Sequence, residues 1–106
     1  MPKEHLTGVL FQSRLATPEM AIKLRQQLPV INWRLGDSDQ YRDYYVLGKR
    51  ADGVRIKIMP EDEPLEYYLG AYFADMPVFP QPEDRFDIAR HIHNVILPII
   101  QGVRKD

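Results

Sequence analysis

Val54-Arg55-Ile56-Lys57-Ile58 sets an apolar residue at every second position, and Tyr67, Leu69, Ala71 and Phe73 repeat that period against Glu66, Tyr68, Gly70 and Tyr72. Side chains two apart share one face of a strand, so this period excludes helices there and demands a sheet with one buried face. Ile31, Trp33 and Leu35 alternate in the same way with Asn32 and Arg34, and Tyr44 to Arg50 reads as a further strand. Together these segments predict a four-stranded antiparallel meander with one face toward a core. Asp52-Gly53 marks the hairpin between the second and third strands, because both residues tolerate positive φ. A two-residue turn there sets Arg50 opposite Arg55, an unfavourable pair that a bulge would relieve.

Helical signals flank the strands. Thr17-Pro18-Glu19 places a hydroxyl at the N-cap, a proline at N1 and an acid in the first turn, and Pro29 ends the helix after about three turns. Ala21, Leu24 and Leu28, with Met20 beside them, mark its apolar face. A longer C-terminal helix opens with Glu83, Asp84 and Asp87 and carries Phe86, Ala89, Ile92, Ile96, Ile99 and Val103 as its stripe. Pro98 removes a backbone donor and predicts a kink. The stripe widens around Ile96 to Ile100, which suits either deep burial or a homodimer through this helix. Residues 6–12 fit a short edge strand or a loosely attached segment; the whole of 1–16 is open in the same way. Residues 76–83 form a proline-rich connector.

The expected architecture is therefore one α+β domain over 1–106, its N-terminal helix and longer kinked C-terminal helix packed on one face of the sheet. A chain of 106 residues suffices for a single core. It has no cysteine, so disulfides and thiolate metal sites are excluded. Its longest apolar runs fall far short of a membrane span or a signal h-region. Those features predict a cytoplasmic protein with no membrane partner.

Catalytic chemistry finds few candidates. An EF-hand loop starting at Asp37 matches at Asp39 but then meets Tyr41, Arg42 where glycine is required, and Gly48 in place of the bidentate glutamate. His91 and His93, two apart on a helix, point in different directions and cannot share a metal. Ser13 and Ser38 sit in no nucleophile elbow, and the six glycines form no phosphate cradle. No metal, cofactor or catalytic residue is assigned, and the chain is read as a non-enzyme.

Two contact surfaces remain. In a meander, Gly36-Asp37-Ser38-Asp39-Gln40 and Pro60-Glu61-Asp62-Glu63-Pro64 leave the sheet at the same end, gathering Asp37, Asp39, Glu61, Asp62 and Glu63 beside Tyr41. Such an acidic rim suits a basic protein partner. The leading expectation is a non-catalytic protein-binding module, in its sharper form an intracellular inhibitor or immunity-type protein. The second surface is the outward sheet face with Arg34, Arg55, Lys57, Tyr68 and Tyr72, joined by Tyr44. Its basic and aromatic residues suit nucleic acid. The helix–strands–helix order is similar to that of the double-stranded RNA-binding domain. Yet Glu83, Asp84 and Asp87 occupy the place where that family has a basic helix start, so membership is not assigned. An enzyme holding a divalent ion on the rim carboxylates ranks third.

Overall fold

In the computed structural model, the described residues are 4–36, 44–50, 54–61, 63–73 and 82–105. The elements are β1 (Glu4–Gln12), α1 (Thr17–Gln27), β2 (Asn32–Gly36), β3 (Tyr45–Lys49), β4 (Val54–Pro60), β5 (Glu66–Phe73), α2 (Pro82–His91), a π-helical turn (Ile92–Ile96), α3 (Leu97–Ile99) and β6 (Val103–Arg104). Every strand pairing is antiparallel, and the sheet order is β2-β3-β4-β5-β1-β6.

The expected meander is β2 to β5, and two strands extend it. β1 is not loose, and it lies at the edge of the sheet except at its last two residues. It pairs along its length with β5, from Glu4 opposite Phe73 to Gln12 opposite Glu66, and its far side takes β6 at Phe11 and Gln12. Local periodicity identifies a strand but is silent about a partner some sixty residues away, which is why β1's position was not readable.

Alternation holds across the sheet. Val9, Phe11, Trp33, Val46, Ile56, Ile58, Tyr67, Leu69 and Ala71 are buried in one cluster with Met20, Ala21 and Leu24 of α1 and Ile88, Ile92, Ile96, Leu97 and Ile100 of the C-terminal helical segment. Each such side chain, fully buried, contributes roughly 1.5–3 kcal/mol relative to exposure. Gly48 sits on this inner face because a Cβ there would stand 2.5 Å from the Trp33 ring. The Trp33 indole N–H donates to the Leu28 carbonyl at 3.2 Å, while Arg25 Nε donates to the Trp33 carbonyl at 3.1 Å. These two bonds tie α1 to β2.

Three local expectations are corrected. Ala16, not Thr17, is the N-cap of α1: its carbonyl accepts from Met20 N–H, and no side chain caps the helix. Thr17 is the first helical residue, only 1% exposed, and its hydroxyl has no partner. The β3–β4 connection spans three residues, because Lys49 stands opposite Arg55 and the Arg50 N–H donates to the Val54 carbonyl. The opposed cations are therefore Lys49 and Arg55. In the C-terminal segment, Phe86 and Val103 are 68% and 69% exposed, and the buried set is Ile88, Ile92, Ile96, Leu97 and Ile100.

The π-helical turn explains that last difference. Leu97 N–H donates to the Ile92 carbonyl, five residues back, just before Pro98. A spacing of four overshoots an α-helical turn, which needs only 3.6 residues. The wider turn absorbs the overshoot and keeps residues 88, 92, 96 and 100 on one side. Of the broad stripe, Ile96, Leu97 and Ile100 are buried inside the chain. No helix among the described residues is long and apolar enough to cross a membrane.

The helical segment ends in a paired-bond cap. Gly102 N–H donates to the Leu97 carbonyl at 2.7 Å and Gln101 N–H to the Pro98 carbonyl at 3.2 Å, with Gln101 left-handed at φ 53°. This is the Schellman arrangement, with glutamine where glycine is the usual occupant. The chain turns there into β6.

Candidate functional site

β2 ends at Gly36 and β3 begins at Tyr45, directly opposite each other. The Val46–Ile58 pairing puts that end of the sheet beside the β4–β5 turn, which closes with Pro60 opposite Tyr67. Both connections therefore leave from one end, as the meander requires. In the turn, Glu61 is half-buried and its N–H donates to the Glu66 carbonyl at 2.9 Å; Glu63 is exposed. Asp37, Asp39, Tyr41 and Asp62 lie outside the described residues, so two of the six rim residues are placed.

The second surface is placed in full. The inward side chains carry the helices and the core, so the residues between them form the opposite face, which no described helix covers. Register sorts that face into rows. Arg34, Leu47, Lys57, Gly70 and Gly8 succeed one another from β2 to β1. The next row toward the β3–β4 connection holds Asn32, Lys49, Arg55 and Tyr72. On the other side run Gly36 and Tyr45, then Met59, Tyr68 and Leu10. Arg34, Arg55, Lys57, Tyr68 and Tyr72 thus share one face, with the cations on β2 to β4 and two tyrosines on β5.

Two residues join the set. Tyr45, rather than Tyr44, is the β3 aromatic, because Val46 points inward and its neighbour must point out. Parity with Val46 carried that signal. Lys49 is exposed and sits directly across from Arg55. Its place followed from the length of the β3–β4 connection, which sequence alone did not fix.

The tyrosine rings lie along the sheet. A Cβ on Gly36 would come within 2.1 Å of the Tyr45 ring, and one on Gly8 within 1.9 Å of the Tyr68 hydroxyl. Glycine is what lets each ring rest on backbone. Lys57 Nζ stands 4.5 Å from the centroid of the Tyr45 ring, a cation–π distance.

Charge is graded along the strands. Lys49 and Arg55 lie toward the β3–β4 end, Arg34 and Lys57 in the middle row, and Glu61 and Glu66 toward the other end. Burial, then the Glu61 carboxylate, pushes the Tyr68 phenol above its ordinary value of 10.0, so it stays a neutral donor. Glu66 is held below the usual carboxylate range, chiefly by its hydrogen bond from Lys105, with which it forms an ion pair.

At the turn end of the sheet a groove of about 470 Å³ is lined by Gln12, Ser13, Arg14, Pro64, Leu65, Gln101 and Val103. Its floor is held by Ser13, 4% exposed, whose hydroxyl donates to the Ile100 carbonyl at 2.6 Å and accepts from Leu15 N–H at 3.1 Å. The Tyr67 hydroxyl donates to the Leu15 carbonyl at 2.9 Å. Those bonds explain Ser13 as a structural residue.

Comparison of the chain with family models, curated proteins and solved structures returns no match.

Proposed function

We propose that the chain is a non-catalytic binding module that takes single-stranded nucleic acid on the helix-free face of its sheet. The observation that carries this reading is the register, which gathers Arg34, Arg55, Lys57, Tyr68 and Tyr72 on one face. Cations neutralise phosphates, and aromatic rings stack on bases that are already unpaired. A flat, open sheet suits splayed bases better than a duplex, whose base faces are stacked away from protein. The Lys49–Arg55 juxtaposition supports the reading further, since like charges directly opposite cost stability that an anion restores. The net charge of −1 makes long-range attraction weak, so affinity rests on the local face. The absence of cysteine accords with a cytoplasmic setting.

The test is fluorescence anisotropy of labelled single-stranded and duplex oligonucleotides across a salt series. Single strands are expected to bind more tightly. Arg55→Ala and Lys57→Ala should each reduce the salt slope by about 0.7, the value for one single-strand phosphate contact. Tyr68→Ala should weaken binding at every salt concentration. Equal affinity for duplex, or variants that bind like the parent, would overturn the reading.

A second reading is supported by the strand ends at Gly36 and Tyr45, which share an end of the sheet with Glu61 and Glu63. On it, the acidic rim of Asp37, Asp39, Tyr41, Glu61, Asp62 and Glu63 binds a basic protein partner, as an inhibitor or immunity-type protein would. Asp37→Asn combined with Glu61→Gln would then release a partner that nuclease treatment leaves bound. A partner retained by that double variant would end this alternative.

A further inference from the structure

We infer that the groove at the turn end of the sheet is a built site for a small carboxylate with an apolar body, held by Arg14 and by Leu65 and Val103. None of the residues proposed to bind nucleic acid lines it, so the inference is independent of that reading. Its volume of about 470 Å³ falls within the roughly 300–1,000 Å³ that small-molecule sites occupy. Arg14 is the one charged residue of the described lining, and among the described residues no carboxylate engages its guanidinium. Glu66, opposite Gln12 in the register, is already paired with Lys105. Leu65 is 52% exposed and Val103 69%, and Pro64 completes the apolar lining. An exposed cation and exposed hydrocarbon on one concavity fit a ligand with an anion at one end and an apolar group at the other.

Three segments assemble the groove and fix one another. Ser13 N–H donates to the Leu65 carbonyl at 3.0 Å, Gln12 stands opposite Val103, and the Ser13 hydroxyl holds the Ile100 carbonyl next to Gln101. A cavity formed before binding spares the ligand the cost of ordering its walls. Backbone strain points to the same place. Leu65 and Gln101, the two non-glycine residues with left-handed backbone among those described, both line the groove. Such residues persist where their surroundings over-determine them, and they concentrate at ligand sites. The charge count selects the anion. One guanidinium matches the single charge of a carboxylate in a bidentate pair, whereas a phosphate monoester, with nearly two charges, finds no second cation on the described lining. Glu63, next to Pro64 in the chain, is exposed and screened by water and salt.

The experiment is an NMR titration of the full chain, following the Leu65 and Val103 methyl groups and the Arg14 side chain, with octanoate and its neutral counterpart octanamide as probes. Octanoate is expected to shift all three sets of signals, a readout that needs no variant to fold. It should bind roughly tenfold more tightly than octanamide, the scale of one charge-assisted hydrogen bond. Acetate, which has the charge without the chain, should leave the methyl signals in place. Arg14→Gln, at an exposed position, should remove the preference for octanoate while octanamide binds as before. Val103→Ser should weaken both probes alike. The inference is overturned if octanoate leaves the groove signals unmoved, if it binds no more tightly than octanamide, or if its advantage survives Arg14→Gln. None of those outcomes bears on oligonucleotide binding by the sheet face.

Discussion

Lys49 and Arg55 face one another across β3 and β4, two cations on directly opposed positions of the uncovered face. Opposed like charges work against the pairing that holds the strands together, whereas opposed unlike charges support it by about 0.2–1 kcal/mol. Lys49→Glu is therefore expected to raise the unfolding temperature by a few degrees. The same change should weaken oligonucleotide binding at low salt. A variant that is both more stable and a poorer binder would mark this pair as held in place by function, and paired calorimetry and anisotropy measure the two effects.

Among the described residues, two without the freedom of glycine hold left-handed backbone, Leu65 at φ 67° and Gln101 at φ 53°. Leu65 follows Pro64 in a turn closed by Glu66 N–H to the Glu63 carbonyl, at the position where a type II turn favours glycine. Left-handed backbone costs an L-residue roughly 1–2 kcal/mol, and glycine gives back part of that through its larger unfolded entropy. Leu65→Gly and Gln101→Gly should each stabilise by about 0.5–1 kcal/mol. A higher urea midpoint at unchanged slope is the measurement.

Ser13 and Thr17 are both buried hydroxyls with opposite accounts. Ser13→Ala would strand the Ile100 carbonyl and the Leu15 N–H, and should cost about 2–3 kcal/mol. Thr17 has a buried hydroxyl with no partner, so Thr17→Val keeps its shape and removes only an unsatisfied group. It should be neutral or stabilising. Denaturant unfolding of the two variants separates them by sign.

His91 stands at the end of α2 with its Nε2 buried and without a partner. Burial, and secondarily the Arg50 charge, lowers its pKa from 6.5. The unfolded chain therefore takes up the proton before the folded one does. Stability is full above pH 6.5 and falls as the pH drops toward the depressed folded value. His91→Gln should flatten that acid limb, which urea midpoints at about pH 5 and 7.5 would register.

Gly48 and Gly8 predict different consequences for the same substitution. A Cβ on Gly48 meets the Trp33 ring at 2.5 Å and Ile31 Cγ2 at 3.0 Å, inside the core. Gly48→Ala should cost about 1–3 kcal/mol through overpacking. On Gly8 the Cβ meets the far end of Tyr68, which can swing outward from the open face. Gly8→Ala should thus change stability little and lower oligonucleotide affinity by lifting the ring off the sheet.

Much of the fold is legible in period-two patterning, because one buried face forces parity on every strand. That parity alone brought Arg34, Arg55, Lys57, Tyr68 and Tyr72 to one side. It assigned Tyr44 in place of Tyr45, an error of one residue at a strand start where two tyrosines adjoin and only the inward Val46 decides. What was not legible is non-local or depends on exact turn geometry. The partner of β1, the brief pairing of β6 and the three-residue β3–β4 connection are fixed by contacts distant in sequence or by backbone detail. The π-helical turn before Pro98 changed which residues of the last helical segment are buried, and residue type alone does not announce it.

The insertion of β1 between β5 and β6 sets an order in time as well as in space. A strand made at residues 4–12 finds its neighbour only when residues 66–73 have emerged, and its second neighbour later still. Until then Val9 and Phe11 have no sheet to enter, and the meander that begins at β2 has an uncovered edge at β5. Closing so long a loop is entropically slow. During synthesis β1 therefore waits unpaired until β5 has been made, and a chain stalled before β5 is complete would be a target for chaperones rather than a partly finished domain.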